Sequence, residues 1–147
     1  MDIHATAIVS EKATIGKNVK IGPNTVIYDN VEIGDGSVIG AFCELGVSNH
    51  LSEGRKLIIG KESNIRSYSI FYEGSVFGEK LTTGHRVTVR EKVIAGKNLQ
   101  LGTLCDLQGH CEIGDYVREA KLTEAGQHDF TADEVETLNN AARNRYD

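Results

Sequence analysis

The chain has 147 residues, about the length of a single domain. A formal net charge of -5 with 25% charged residues excludes a broad basic nucleic-acid face and favours a small molecule or another protein as partner. Sixteen glycines beside one proline point to regularly spaced turns, not to a disordered chain.

No stretch approaches the roughly 20 apolar residues of a membrane span. The opening segment MDIHATAIVSEKATIG lacks the basic-then-apolar order of a secretory signal, so a cytoplasmic location is expected. Three cysteines without CxxC spacing fit neither a disulfide framework nor a zinc ribbon, and no metal is expected.

From the N-terminus, aliphatic residues recur every six positions at Ile3, Val9, Ile15, Ile21, Ile27, Ile33, Ile39 and Leu45. After a fourteen-residue step the beat resumes at Ile59, Ile65, Phe71 and Phe77, then Thr83, Val89, Ala95, Leu101, Leu107 and Ile113. Glycine often follows the beat, and the fourth residue after it is small or aliphatic, as at Val19, Thr25, Ser63, Ser69, Val87 and Cys105. A period of six matches neither the 3.6 of a helix nor the two of a hairpin sheet. It predicts a prism in which each hexad forms one short strand and one turn, three hexads form a triangular coil, and these eighteen hexads give about six coils.

The polar stretch VSNHLSEGRK predicts a protruding loop near 47–58, and loops on rigid scaffolds commonly carry binding groups. Taking the fourteen-residue step as two hexads plus two residues sets His4, Gly22, Gly40, Gly60, Gly78, Gly96 and Gly114 in one turn column. A second column then holds Ser10, Tyr28, Gly46, Arg66, Gly84 and Gly102, and a third Gly16, Gly34, Tyr72, Arg90 and Gln108. A wholly extruded loop would shift that alignment. The β-prism is expected over 1–118, followed over 119–147 by a linker and a C-terminal helix. Thr131 would cap that helix with Glu134 three residues on, leaving Val135, Leu138, Ala142 and Tyr146 on one face.

Cys43, Cys105 and Cys111 fall at the small inward position and are expected to be core fillers. Among the histidines, His4 lies in the first hexad, His128 in the tail, His50 in the loop and His110 at a turn. His85 follows Gly84 and therefore faces outward with room for a ligand. Arg66 and Arg90 stand where glycine is usual, so both break outward, either to pair with a carboxylate such as Glu73 or Glu91 or to meet a phosphate.

The repeat over residues 3–118 resembles the hexapeptide-repeat family, which implies an all-β, left-handed parallel β-helix, here with a C-terminal α-helix. Within it, FGEKLTTGHRVTVREKVIAGKNLQLGT is similar to the sugar O- and N-acyltransferase branch, whose T-G-H run carries the catalytic base. That resemblance implies an acetyltransferase with His85 as general base, acetyl-CoA as co-substrate, and a sugar or nucleotide sugar as acceptor. It implies a homotrimer whose grooves between subunits hold the site. Gly84, Gly102 and Arg90 would then lie toward the cofactor, and His50, Arg66, Tyr72 and His110 toward the acceptor. An imidazole suits proton transfer near neutral pH and contributes roughly 10²–10⁴ in rate.

Two other functions remain open. The same fold serves as a non-catalytic assembly module or inactive relative. The tail also looks loosely like γ-class carbonic anhydrase relatives, but position 90 is Arg90 where their second zinc-binding histidine would fall.

Overall fold

A two- or three-residue strand cannot satisfy its backbone alone; each must pair with the strand one full coil away. The computed structural model shows this arrangement over the described residues, 1–119. The expected C-terminal helix with its Thr131 and Glu134 cap lies outside the described residues.

Three parallel sheets form the sides of an all-β solenoid of about six turns. The first has seven strands, from Asp2–Ile3 to Arg118–Glu119. The second has six, from Ile8–Val9 to Asp106–Leu107, and the third six, from Thr14–Ile15 to Cys111–Ile113. Corner one follows the first sheet, corner two the second, and corner three the third.

The expected alignment across the loop is wrong. Ordinary partners are 18 residues apart, as in Ile3↔Ile21, but Ile33↔Ile59, Ile39↔Ile65 and Leu45↔Phe71 are each 26 apart. The excess of eight residues is extruded at corner two, so only one hexad, not two, spans the fourteen-residue step. Corner one therefore carries His4, Gly22, Gly40, Arg66, Gly84 and Gly102; corner two carries Ser10, Tyr28, Gly46, Tyr72, Arg90 and Gln108. Corner three is glycine in every coil, at Gly16, Gly34, Gly60, Gly78, Gly96 and Gly114.

Close approach explains that third column. A Cβ on Gly78 would lie 2.9 Å from both the Gly96 carbonyl carbon and the Lys97 nitrogen, backbone atoms that cannot swing away. Gly78→Ala is expected to destabilise the protein by about 1–3 kcal/mol, the usual range for overpacking. Equilibrium denaturation of the purified variant measures it, and an unchanged midpoint would contradict the close contact.

The core is one continuous column of beat residues, with Ile21, Ile39, Leu45, Ile65, Phe71, Val89 and Leu107 all buried. The small polar residues at the fourth position are buried too, and each acts as a staple between coils. Ser69 Oγ donates to the Arg66 carbonyl at 2.9 Å and accepts from the Val87 nitrogen at 3.2 Å. Ser75 does the same with the Arg90 carbonyl and the Val93 nitrogen, and Thr25 with Gly40 and Cys43. Hydroxyls recur here because one such group satisfies a turn carbonyl and an amide of a neighbouring coil. Cys43 and Cys105 are buried and Cys111 packs partly buried against the core. Burial pushes the Cys43 thiol above its ordinary pKa, which keeps it protonated and inert. Among the described residues, no helix is long and apolar enough to cross a membrane.

Candidate functional site

Corner one presents His85. Gly84 ends the strand Thr82–Thr83, Thr83 is buried, and the chain turns outward so that His85 and Arg86 are exposed before Val87 returns to the core. Arg86 takes the left-handed conformation at φ 56°, which closes the turn. The His85 imidazole makes no hydrogen bond to any described residue, while its backbone is fixed on both sides. Its N–H donates to Thr103 Oγ1 at 3.2 Å, and its carbonyl accepts from the Leu104 nitrogen at 3.0 Å. A rigid main chain thus presents an unengaged imidazole.

A backbone donor beside the turn glycine would suit an oxyanion, but the amides here are committed. Gly84 N–H donates to the Leu101 carbonyl at 2.8 Å, and Arg86 N–H to the Ser67 carbonyl at 2.9 Å. Coil stacking consumes both donors. At these two positions no backbone donor is left for an oxyanion.

Beside His85 a groove of about 420 Å³ opens along the first sheet. Its walls include Arg66, Gly84, Gly102, Thr82, Gln100, Thr103 and Arg118. Arg66, Gly84 and Gly102 were expected near the site, and all three are brought together here. Thr103, Gln100 and Arg118 were not anticipated. For Gln100 and Arg118 the signal was present in the outward position just before the beat, where Thr82, Gln100 and Arg118 pair in register on successive coils.

The same corner carries an exposed ladder. Phe42 and Tyr68 stack with ring centroids 5.1 Å apart and planes 3° from parallel, and Arg86 lies over the Tyr68 ring at 5.2 Å. Phe42 and Tyr68 are 47% and 50% exposed and sit in left-handed conformations, an unfavourable setting for bulky side chains.

The remaining expected residues lie at corner two. Arg90 rests over the Tyr72 ring at 4.7 Å and pairs with Glu91 at 3.1 Å. Glu91 is buried, and its carboxylate also accepts from the Asn49 side chain. His50 is exposed in a single 3₁₀ turn, His50–Ser52, and His110 is exposed at the turn above. Within one chain, then, His50, Tyr72, Arg90 and His110 do not share the His85 site.

The extruded loop folds back onto corner two. Ser52 is buried with its Oγ 2.6 Å from the Glu73 carboxylate, and Asn30 Nδ2 donates to the Gly54 and Arg55 carbonyls, both at 2.9 Å. Lys92 pairs with Glu53 and holds that carboxyl below its usual range. A second cavity of about 440 Å³ lies alongside, with Tyr28, Asp29, Asn30 and Glu73 in its walls. There Tyr28 donates to Glu44 at 2.7 Å, and that bond raises the phenol pKa above its ordinary value. The two openings thus differ in sign: arginines flank the groove at corner one, and carboxylates the cavity at corner two.

Comparison with known proteins follows the geometry. The family model described as "Bacterial transferase hexapeptide (six repeats)" matches residues 12–46. No curated protein matches the sequence. Among solved structures, a hexapeptide transferase family protein from Anaplasma phagocytophilum is similar at 20% identity, with 97% of this chain and 87% of that one covered and a TM-score of 0.65. AntD, an N-acyltransferase from Bacillus cereus in complex with dTDP and 3-hydroxybutyryl-CoA, is similar at 15% identity over 97% and 90% of the two chains, with a TM-score of 0.50. At such identities these likenesses concern the fold.

Proposed function

We propose that the chain is an acyltransferase that moves an acetyl group from acetyl-CoA to a hydroxyl or amino group of a sugar or nucleotide sugar, with His85 as general base. The carrying observation is the exposed, unengaged imidazole of His85 on a main chain pinned by Thr103 and Leu104, at the edge of a groove fit for a ligand. The hexapeptide repeat and the transferases of like fold support the same class.

A thioester is already activated, so the protein has two tasks: to hold donor and acceptor together and to take one proton. As the acceptor's oxygen or nitrogen attacks the thioester carbonyl carbon, its proton passes to a His85 ring nitrogen. The tetrahedral intermediate then collapses, the carbon–sulfur bond breaks, and the imidazolium returns the proton to the departing thiolate. Gly84 is required first by stacking, since a Cβ there would lie 2.5 Å from the Thr103 nitrogen of the next coil; with Gly102 it forms a wall of the groove along which the donor would lie.

We place corner one at a subunit boundary of a homotrimer. The exposed Phe42–Tyr68 stack beside His85 supports this, because its desolvation by a second chain would offset the conformational cost of the pair. In that assembly a neighbour's corner two could bring His50, Tyr72, Arg90 and His110 toward the acceptor.

Calorimetric titration with acetyl-CoA, followed by a free-thiol assay over a panel of amino and hydroxyl sugars, tests the proposal. Saturable binding and sugar-dependent thiol release are expected. A protein that binds no acetyl-CoA overturns the proposal and favours the assembly-module reading.

A further inference from the structure

We infer that the groove between Arg66 and Arg118 is a diphosphate-binding subsite. Charge is the first ground. Nine of the described residues line the groove, and none of these nine is an aspartate or glutamate, in a chain whose net charge is -5. Elsewhere on the surface some cations are matched, Lys12 with Asp29, Lys61 with Glu79 and Lys80 with Glu62, while Lys17, Lys20 and Lys97 stand singly without a carboxylate among the described residues. Arg66 and Arg118 form no ion pair with any described residue, although each is a guanidinium at the wall of one opening.

The second ground is spacing and donor chemistry. Arg66 follows the strand Asn64–Ile65 and Arg118 opens the strand Arg118–Glu119, three rungs further along the same sheet. At the usual strand spacing their backbones are about 14 Å apart along the stack, so two long side chains can close on a ligand from both ends. Between them, Thr82 and Gln100 occupy the intervening rungs and add a hydroxyl and an amide donor. A guanidinium at each end and neutral donors between them match two linked phosphates, each able to accept a paired fork of hydrogen bonds. A single carboxylate would leave one arginine unused.

The third ground is position. Thr103 lines the groove and accepts from the His85 N–H, so a diphosphate held here lies beside the proposed base. This link to catalysis rests on the acyl-transfer proposal; the binding itself does not. Both the donor, coenzyme A, and a nucleoside-diphosphate sugar carry the required group.

The test is isothermal titration of the full chain with two probes, coenzyme A and uridine diphosphate, in wild type and in Arg66→Gln and Arg118→Gln. Thermal midpoints near wild type confirm that the variants fold. Each substitution is expected to weaken at least one probe by about ten- to a hundredfold, as for loss of a charge-assisted hydrogen bond. Weakening confined to coenzyme A assigns the groove to the donor, and weakening confined to uridine diphosphate assigns it to the acceptor. The inference is overturned if wild type binds neither probe, or if both variants bind both probes as wild type does. Arginine-dependent binding without any thiol release would keep the groove and remove the acyl-transfer proposal.

Discussion

His85→Ala is expected to lower kcat by roughly 10²–10⁴, the range a positioned general base contributes. Stability should hardly change. The side chain is exposed and bonds no described residue, and both hydrogen bonds that fix residue 85 come from its main chain, which alanine retains. Surface substitutions of this kind stay within about 0.5 kcal/mol. The two effects therefore separate cleanly in one variant. Acetyl-CoA affinity should also be kept, because the groove walls are untouched. A loss of turnover accompanied by a lower unfolding midpoint would indicate a structural role, and full turnover would remove His85 from the reaction. His85→Gln is the useful companion, since it keeps polarity and bulk but cannot take the proton. It should be as slow as the alanine variant.

How much of this was legible beforehand depends on the scale of the interaction. The inward column was fully legible, because burial of one beat residue per hexad is a local rule, and Ile21, Ile39, Phe71 and Val89 obey it. The stacking register was misaligned because two alignments of the turn column look alike. The expected one joined His4 to six glycines, whereas the true corner three has no exception, and backbone crowding at Gly78 shows why none is allowed. That flawless column was the signal to follow. Arg66, Gly84 and Gly102 were grouped correctly even so, since they lie on the same side of the loop and the error moved them together.

Other features required the loop's path. Asn49 and Glu91 are 42 positions apart, and nothing in either segment announces that a buried carboxylate will hold the loop to corner two. Arg90 illustrates the consequence. Its substitution for glycine marked it as an outward cation, but Glu91 and Tyr72 already engage it within the chain. Arg118 is the converse case, an outward residue of the last described strand that gains meaning only when Arg66 is placed three rungs away on the same sheet.

Phe71→Ala should produce the largest loss of stability, about 3–5 kcal/mol for a large side chain removed from a core. Phe71 is fully buried on the second sheet, between Leu45 and Val89 in register, and meets the Phe77 ring edge-on at 5.5 Å. The coil that carries Val89 is tied to the Phe71 coil through the Ser69 and Ser75 staples, so it cannot collapse far into the void. Against a typical total of about 5–15 kcal/mol, such a loss brings the fold close to its threshold. The expected readout is a large fall in the denaturant midpoint. A slope that also falls would mean the stack has separated into two units at this coil, as a solenoid with a broken nearest-neighbour contact can. Ile94→Ala provides the contrast. Ile94 is an aliphatic residue on the outer side of the third sheet, 48% exposed, and its loss should cost the single chain far less. Equal losses at Phe71 and Ile94 would contradict the alternation of inward and outward residues from which the whole prism is built.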